Sequence, residues 1–228
     1  MADPPPAAAG NADVETAVLI HGLWMTGVEL LPLGRRLRGH GLRTRLFRYS
    51  PTAATPQEHA RHLAACVERQ GPGPVHWVAH SFGGIVALHC LALGRALPPG
   101  RIVLIGSPVR GSAPARRLAE WPLARPWFGD TLERGLLGGA PGLAGDREVA
   151  VIAGDRSLGI GGLLAGFDEP HDGTVAVAET LLDGVTDRIV LRHSHFGLVF
   201  SAEVAGAVAS FLRTGRLSVE SAARAEFE

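Results

Sequence analysis

The chain has 228 residues and carries 22 acidic and 22 basic side chains, so its formal net charge is zero. Without a net positive field, neither nucleic acid nor an anionic membrane surface is an expected partner. The length suffices for one well-filled core, and no integral membrane segment is predicted because no apolar run reaches about 18 residues.

The two ends of the chain differ in composition from the stretch between them. Residues 1–13 lack a basic region followed by an apolar stretch, so they are interpreted as a disordered lead and not as a secretory signal. Residues 14–215 are predicted to form a single domain, and residues 216–228 a C-terminal tail. A cytoplasmic location is expected, and the oligomeric state is left open.

Short apolar runs rich in Val and Ile alternate with longer stretches of helical periodicity, and turn residues close each run. This alternation is typical of a parallel sheet with helices between its strands. The predicted strands are Thr16–Ile20, Arg43–Tyr49, Val75–Ala79, Arg101–Ile105, Glu148–Ala153 and Arg188–Leu191.

Two helix starts can be located from capping residues. Thr55 is followed by Pro56 and Glu58, which predicts an N-cap, a proline at the first helical position and a capping box. This helix should extend to about Gln70. Ser201 similarly predicts the start of a closing helix. The apolar stripe of that helix consists of Val204, Val208, Phe211 and Leu212.

The fold class that follows is α/β. Right-handed crossovers between parallel strands give a doubly wound, mostly parallel sheet with helices on both faces. In such a sheet the ligand crevice lies at the carboxyl ends of the strands. Functional residues are therefore expected in the segments that directly follow a strand.

The segment around Ser81 has the pattern of a sharp turn between a strand and a helix. The predicted strand Val75–Ala79 runs into Ser81 and then into an apolar helical stretch. A serine at such a turn has a strained backbone, and small residues two positions before and after it let strand and helix approach. Ala79, where Gly is usual, and Gly83 are those residues. Ser81 is the predicted nucleophile, and an ordinary helix N-cap is the alternative.

Acyl transfer at a serine needs backbone N–H groups that point at the developing oxyanion. One comes from the residue after the nucleophile, here Phe82. The first strand ends in His21 and Gly22, which open into a loop at the edge of the crevice. The N–H of Leu23 is the predicted second donor. His21 would also lie near Ser81, but its place before Gly22 favours a role in holding this loop.

Two neighbouring histidines follow the last predicted strand. We favour His195 over His193 as the general base because it lies further past the strand and nearer the turn of the loop. In this kind of site the acid and then the base follow the nucleophile along the chain, which also argues against His21. The alternative is that both are polar surface residues.

The carboxylate that orients the base should lie between the last two strands. Candidates there include Asp155, Asp168, Glu169, Asp172, Asp183 and Asp187. Asp172 is favoured because Gly173 allows a tight turn and an apolar stretch anchors the loop after it. Asp155 directly follows a strand and is the second candidate, whereas the others are interpreted as solvated side chains.

Together these segments resemble the lipase and esterase branch of the α/β-hydrolase superfamily. The residues that carry the likeness are His21–Trp24, Ala79–Gly84, Gly106–Pro108 with Gly111 and Ser112, Asp172–Val175 and His195–Leu198. In similar proteins a Thr stands at the position of Ser107. The resemblance implies the α/β-hydrolase fold and carboxylic ester hydrolysis, and it supports Asp172 and His195 as partners of the nucleophile.

A stretch rich in Gly and Pro, residues 108–146, interrupts the strand pattern at the place where such enzymes carry a small cap or lid. An apolar wall over Ser81 would favour acyl chains or aryl esters. A surface excursion with its own small core is the alternative. The predicted substrate contacts are Trp24, His80, Trp121 and Trp127.

The predicted function is hydrolysis of small-molecule carboxylic esters through an acyl-enzyme intermediate on Ser81, with His195 as base and Asp172 as the acid that orients it. Neither a metal nor an organic cofactor is expected. A thioesterase, lactonase or amidase would use the same three residues. A catalytically silent ligand-binding protein is the alternative from outside the enzymes.

Overall fold

Six short strands form one sheet in which all neighbouring strands are parallel. The computed structural model describes residues 15–121, 123, 125–158 and 166–219. The strands are β1 (Thr16–Ile20), β2 (Arg43–Phe47), β3 (Val75–His80), β4 (Ile102–Ile105), β5 (Val149–Gly154) and β6 (Asp187–Leu191). All six predicted strands are confirmed, and the sheet is wholly and not just mostly parallel.

The clearest difference from the predicted strand bounds lies in β2, which ends at Phe47 and not at Tyr49. The Tyr49 hydroxyl donates a hydrogen bond to the carbonyl oxygen of His21, 2.6 Å away, so the chain leaves the sheet to reach across the end of β1. β3 and β5 each run one residue further than predicted, to His80 and Gly154.

Helices fill the crossovers between the strands. Within the described residues the α-helices are α1 (Leu31–Gly39), α2 (Pro56–Glu68), α3 (Phe82–Leu91), α4 (Ala113–Ala119), α5 (His195–Phe200) and α6 (Ala202–Thr214). Short 3-10 turns span Val28–Leu30, Pro51–Ala53, Arg125–Trp127, Gly129–Thr131 and Val177–Thr180, and a π-helical turn spans Leu132–Leu136. No helix among these is both long and apolar enough to cross a membrane.

The helices cover both faces of the sheet, as the doubly wound prediction requires. α2 and α3 pack against the face on which Val18 and Trp77 are buried. α1, α5 and α6 cover the other face, on which Leu19 and Val78 are buried. Alternate residues of each strand therefore enter two separate cores, which explains why the strands are apolar on both sides.

Both predicted helix starts are confirmed. Thr55 Oγ1 accepts the N–H of Glu58 at 3.3 Å, and Glu58 Oε2 accepts the N–H of Thr55 at 2.9 Å. The Ser201 hydroxyl accepts the N–H of Val204 at 3.3 Å, and α6 buries the predicted apolar stripe. α2 ends at Glu68, two residues before the predicted end.

α3 is buried around its whole circumference from Phe82 to Cys90, which explains why its sequence has no polar face. Its first turn lies so close to β1 that a Cβ atom on Gly83 would be 2.5 Å from the carbonyl oxygen of Ile20. Only glycine fits this approach, so Gly83 sets the position of α3 relative to β1.

Part of the segment 108–146 packs onto the main core. Phe128, Leu132 and Leu136 are buried in the same cluster as Phe82 and Ile85 of α3. These three residues therefore extend the core of the sheet, whereas Trp121, Leu123 and Trp127 of the same segment are exposed.

The strand order β2-β1-β3-β4-β5-β6 reverses direction between β1 and β3. From β1 the chain moves to β2 on one side, and from β3 it moves to β4 on the other. The loops that follow β1 and β3 therefore diverge and leave a crevice at the carboxyl ends of these strands. The segments beginning at His21 and Ser81 border this crevice.

Replacing Gly83 by Ala should destabilise the fold, because the new methyl group would collide with the backbone of β1. Overpacking of this kind costs about 1–3 kcal/mol. For a chain of this length, each kcal/mol lowers the Tm by roughly 2–4 °C. Thermal unfolding followed by circular dichroism measures the change.

Gly206→Ala is the matched control. Gly206 lies inside α6, and a Cβ atom there would meet no atom within 4 Å. Alanine favours the helix over glycine by about 1 kcal/mol, so this variant should be as stable as the unchanged chain or slightly more stable. Equal Tm values for the two variants would show that α3 does not depend on the close approach.

Candidate active site

Ser81 occupies the turn between β3 and α3, with backbone angles of φ 55° and ψ −127°. Among the described residues other than glycine, only Trp24 also has a positive φ. The surrounding structure holds this strained backbone. The Ser81 N–H donates to the carbonyl of Ile105, 2.9 Å away, and the Ser81 carbonyl accepts the N–H of Gly84 at 3.0 Å. The predicted sharp turn is therefore present.

The Ser81 hydroxyl contacts His195, which in turn contacts Asp172. Ser81 Oγ lies 3.0 Å from His195 Nε2, and His195 Nδ1 lies 2.7 Å from Asp172 Oδ2. His195 and Asp172 are 5% and 1% exposed. Because a carboxylate can only accept a hydrogen bond, Nδ1 carries the proton and Nε2 presents its lone pair to the Ser81 hydroxyl.

The Asp172 side chain is held by its own loop. Asp172 Oδ1 accepts the N–H groups of Thr174 at 2.9 Å and Val175 at 2.7 Å. Its main-chain carbonyl accepts the N–H of His195 at 2.9 Å. Gly173 has a φ of 97°, so the tight turn predicted from the Asp-Gly pair is present. These contacts leave Asp172 Oδ2 to face the imidazole.

The alternative base and acid lie outside this row of contacts. His193 Nε2 is 2.7 Å from Glu203 Oε2 and 3.0 Å from Ser201 Oγ, so this side chain ties its loop to the start of α6. Asp155 is exposed to solvent. His195 is the first residue of α5, a short helix that the sequence analysis did not predict.

His21 supports the loop after β1. Its ring is fully buried and stacks on Tyr49 with the ring centroids 4.4 Å apart. Its Nδ1–H donates to the carbonyl of Gly22, 3.0 Å away. Burial lowers the pKa of His21, so the ring is neutral near pH 7. These contacts fit the predicted loop-holding role and not that of a base.

His80 differs from its prediction as a substrate contact. The ring is 1% exposed and lies behind His195, with the ring centroids 4.6 Å apart. Its Nε2–H donates to the carbonyl oxygen of His195, 3.1 Å away. Burial lowers the pKa of His80 well below its usual range, and a positive charge on His195 lowers it further. The expected contact with substrate is thus replaced by a contact with the backbone of His195.

Of the two predicted oxyanion donors, Leu23 lines the same cavity as Ser81, and Phe82 directly follows Ser81 as the first residue of α3. No hydrogen bond within the described part of the chain engages the N–H of Leu23 or Phe82. The loop that follows β1 lies close to Ser81, since a Cβ atom on Gly22 would lie 2.9 Å from Ser81 Cβ. The Gly22 N–H donates to Met25 Sδ at 3.2 Å, which holds the loop in this conformation.

Gly106, directly after β4, also shapes the site, although the sequence analysis noted it only as part of the family resemblance. A Cβ atom on Gly106 would lie 3.2 Å from Asp172 Oδ2 and 3.3 Å from His195 Nδ1. Its φ of 54° also favours glycine. The signal in the sequence was a glycine at the carboxyl end of the strand next to β3.

A cavity of about 1180 Å³ opens from Ser81 toward residues 108–146. Its walls are apolar, and among the described residues that line it His195 is the only one with an acidic or basic side chain. Leu118, Phe128 and Leu136 of the 108–146 segment form part of the wall. Apolar side chains of the 108–146 segment thus lie beside Ser81 in this cavity.

Three of the four predicted substrate contacts line this cavity. Trp24, Trp121 and Trp127 are exposed and border it. The indole N–H of Trp24 donates to the carbonyl of Trp127, 2.9 Å away, and its ring lies 5.1 Å from that of Phe128. The loop after β1 is thereby joined to the 108–146 segment.

Comparison with known proteins agrees with the fold. Residues 17–193 match the family model described as the alpha/beta hydrolase family. The chain belongs to this family. The order of its strands and the serine turn after β3 are thus features of an α/β hydrolase.

A curated relative of this α/β hydrolase is lipase LipV of Mycobacterium tuberculosis (strain ATCC 25618 / H37Rv). The two are 38% identical over 100 residues, which is 42% of this chain and 35% of LipV. The matched segment is therefore about a third of the length of that relative.

Solved structures share the fold at lower identity. The mature lipase BlEst2 of Bacillus licheniformis has a TM-score of 0.73 at 19% identity, over 94% of this chain and 96% of that one. The metagenomic carboxyl esterase MGS0156 has a TM-score of 0.59 at 18% identity, over 85% of this chain and 68% of that one.

Replacing Gly106 by Ala should lower the reactivity of Ser81, because the added methyl group would press on the contact between Asp172 and His195. Small displacements of reacting groups lower a reaction rate strongly, and we expect the reactivity of Ser81 to fall about 10-fold. The rate at which a fluorophosphonate probe labels Ser81 measures this reactivity.

Gly94→Ala is the control that separates the effect of the steric contact from the effect of the backbone strain. Gly94 has a φ of 62°, close to that of Gly106, but a Cβ atom there would meet nothing within 4 Å. The backbone strain alone should lower the stability of both variants by about 1–2 kcal/mol. Only Gly106→Ala should label more slowly, and equal labelling rates would contradict the proposed crowding.

Proposed function

We propose that this α/β hydrolase cleaves carboxylic esters of small molecules through an acyl-enzyme intermediate. The observation that carries the proposal is the row of contacts from Ser81 Oγ through His195 to Asp172 Oδ2, at 3.0 and 2.7 Å. Nucleophilic catalysis of this kind requires a nucleophile, a base in contact with it and a third group that orients the base. The similar proteins described as a lipase and a carboxyl esterase support the same chemistry.

Acylation begins when His195 Nε2 accepts the proton of the Ser81 hydroxyl as Ser81 Oγ attacks the acyl carbon. The Asp172 carboxylate holds the proton on His195 Nδ1 and stabilises the imidazolium that forms. The imidazolium then gives its Nε2 proton to the leaving alcohol, and the acyl group stays on Ser81. A water molecule, deprotonated by His195 in the same way, releases the carboxylic acid.

The tetrahedral intermediate of each step carries a negative oxygen. Its proposed donors are the N–H groups of Leu23 and Phe82, which have no other acceptor among the described residues. Phe82 stands at the start of α3, where the helix dipole adds positive potential. Loss of a single donor of this kind typically slows turnover by about 100- to 1,000-fold.

A neutral His80 is needed beside this chemistry. The ring lies 4.6 Å from His195, and a positive charge there would oppose formation of the imidazolium. Burial keeps the pKa of His80 far below neutral pH. His80 can therefore donate to the His195 carbonyl without adding charge.

The cavity suggests which esters are accepted. An apolar space of about 1180 Å³ is larger than a small acyl group needs, and the described residues that line it include no arginine to hold a charged substrate. We propose uncharged esters with a sizeable apolar acyl or aryl group. Trp24, Trp121 and Trp127 are the proposed contacts at the mouth of the cavity.

Ser81→Ala should abolish ester hydrolysis while the fold is kept, because alanine fits the turn but has no nucleophile. The expected loss in kcat is about 1,000-fold or more. Hydrolysis of p-nitrophenyl butyrate and labelling by a fluorophosphonate probe measure it. Ser210→Ala, in α6, is the control with unchanged activity, because Ser210 Oγ donates to the carbonyl of Arg216 just past the end of that helix. Turnover near that of the control would refute Ser81 as nucleophile.

Asp172→Asn should be far more severe than Asp155→Asn. An amide at position 172 no longer selects the His195 tautomer with its lone pair on Nε2, and a loss of about 10,000-fold in kcat is typical of such a change. Asp155→Asn should stay within about two-fold, since surface substitutions away from a site have small effects. The opposite ranking in kcat would move the role of the acid to Asp155.

A further inference from the structure

Glu179 is a buried carboxylate that the proposed mechanism does not use. It lies in the 3-10 turn Val177–Thr180, shortly after the loop that carries Asp172, and is 7% exposed. Burying a carboxylate is costly unless several donors surround it. Its hydrogen bonds therefore indicate what it holds together.

The donors to Glu179 come from two separate parts of the chain. Glu179 Oε2 accepts the N–H of Ala176 at 3.0 Å, next to the loop of Asp172. Glu179 Oε1 accepts the N–H of Ala113 at 2.5 Å and lies 3.3 Å from Arg116 Nη2, both in α4. Burial raises the pKa of Glu179, and the two N–H groups and the Arg116 charge oppose that rise.

Both of these parts line the cavity beside Glu179. Val175 precedes Ala176, and Ala115 and Leu118 of α4 follow Ala113. The Glu179 carboxylate thus links α4, which forms part of one wall of the cavity, to the loop that carries Asp172. A main-chain hydrogen bond reinforces this link, since the N–H of Arg110 donates to the Glu179 carbonyl at 3.0 Å.

The loop of Asp172 and α4, the two parts that Glu179 links, do not depend on it equally. The loop of Asp172 is closed by its own hydrogen bonds, including those from Thr174 and Val175 to Asp172 Oδ1. α4 has only seven residues, and a helix of that length needs external contacts to persist. Loss of the Glu179 carboxylate should therefore release α4 and leave Asp172 in place.

We propose that Glu179 is a positioning residue that sets the acyl-chain selectivity of the enzyme by holding α4 as a wall of the cavity. This proposal rests on the proposed ester hydrolase function. A short acyl group on Ser81 stays close to the turn after β3, whereas a long chain extends along the wall to which Ala115 and Leu118 contribute. The wall should thus matter for long chains only.

Glu179→Gln tests the proposal with two substrates, p-nitrophenyl butyrate and p-nitrophenyl decanoate. Glutamine keeps one acceptor but places an NH₂ group against an N–H that the carboxylate had bound. We expect kcat/KM for the decanoate to fall about 10-fold through KM, the size of one lost hydrogen bond to a charged group. Butyrate hydrolysis should stay within about two-fold, as expected when binding to the wall alone is lost.

Ala113→Pro removes the other partner of the same contact and keeps the glutamate at position 179, although its carboxylate must move away from the proline ring. Proline is accepted at the first position of a helix. Ser112, the residue before it, is already extended with φ −117° and ψ 117°, as a residue before proline must be. This variant should show the same loss for the decanoate, and it keeps the proposal testable if Glu179→Gln does not fold.

Glu148→Gln is the matched control. Glu148 also pairs with an arginine, Arg101. It directly precedes β5, at the amino ends of the strands, whereas Ser81 lies at their carboxyl ends. Its chain-length profile should equal that of the unchanged enzyme. A similar shift in the control would show that the effect is general destabilisation, which overturns the proposal.

Hydrogen exchange measured by mass spectrometry separates this proposal from the function on which it rests. In Glu179→Gln the amides of α4 should exchange faster and those of α3 should not. Faster exchange in an enzyme that hydrolyses no ester would refute the proposed function and leave the structural role of Glu179 standing. Unchanged exchange, or an equal loss for both esters, would overturn the role of Glu179.

Discussion

The close approach of α3 to β1 is the constraint on which the rest of the site depends. Gly83 touches the carbonyl of Ile20, so the chain must turn within the single residue Ser81, at a φ of 55°. Such strain costs about 1–3 kcal/mol. Burial of one large side chain, such as Phe82 or Ile85, contributes about 1.5–3 kcal/mol. α3 buries several, so packing outweighs the strain and holds the hydroxyl at the crevice.

The features that could be predicted from the sequence are those encoded by residues close together in it. The serine turn, the capping box at Thr55 and the turn at Asp172 each need only about five residues, with small or polar side chains at fixed spacings. The end of β2 could not be predicted in this way, because it depends on a hydrogen bond from Tyr49 to His21, 28 positions apart. The role of His80 depends on a contact across 115 positions.

Three buried histidines surround Ser81, and residue type alone does not distinguish them. The register of β1 with β3 sets His21 beside His80, since Ile20 pairs with Ala79. Burial lowers the pKa of both rings. Only His195 has a hydroxyl at one nitrogen and a carboxylate at the other. This difference between the three rings is a property of the tertiary contacts, which is why His195 is the proposed base.

The segment between β5 and β6 carries two buried carboxylates seven positions apart. One contacts the candidate active site, and the other contacts α4 in the wall of the cavity. Asp172 faces His195, whereas Glu179 faces the first turn of α4. The sequence analysis weighed Asp172 because Gly173 follows it, but Glu179 has no comparable local signal, since its partner Ala113 is 66 positions away. Because Asp172 is held by the N–H groups of its own turn, the proposed release of α4 would leave the proposed acid in place. Under the proposed function, substrate range and catalysis would therefore vary separately.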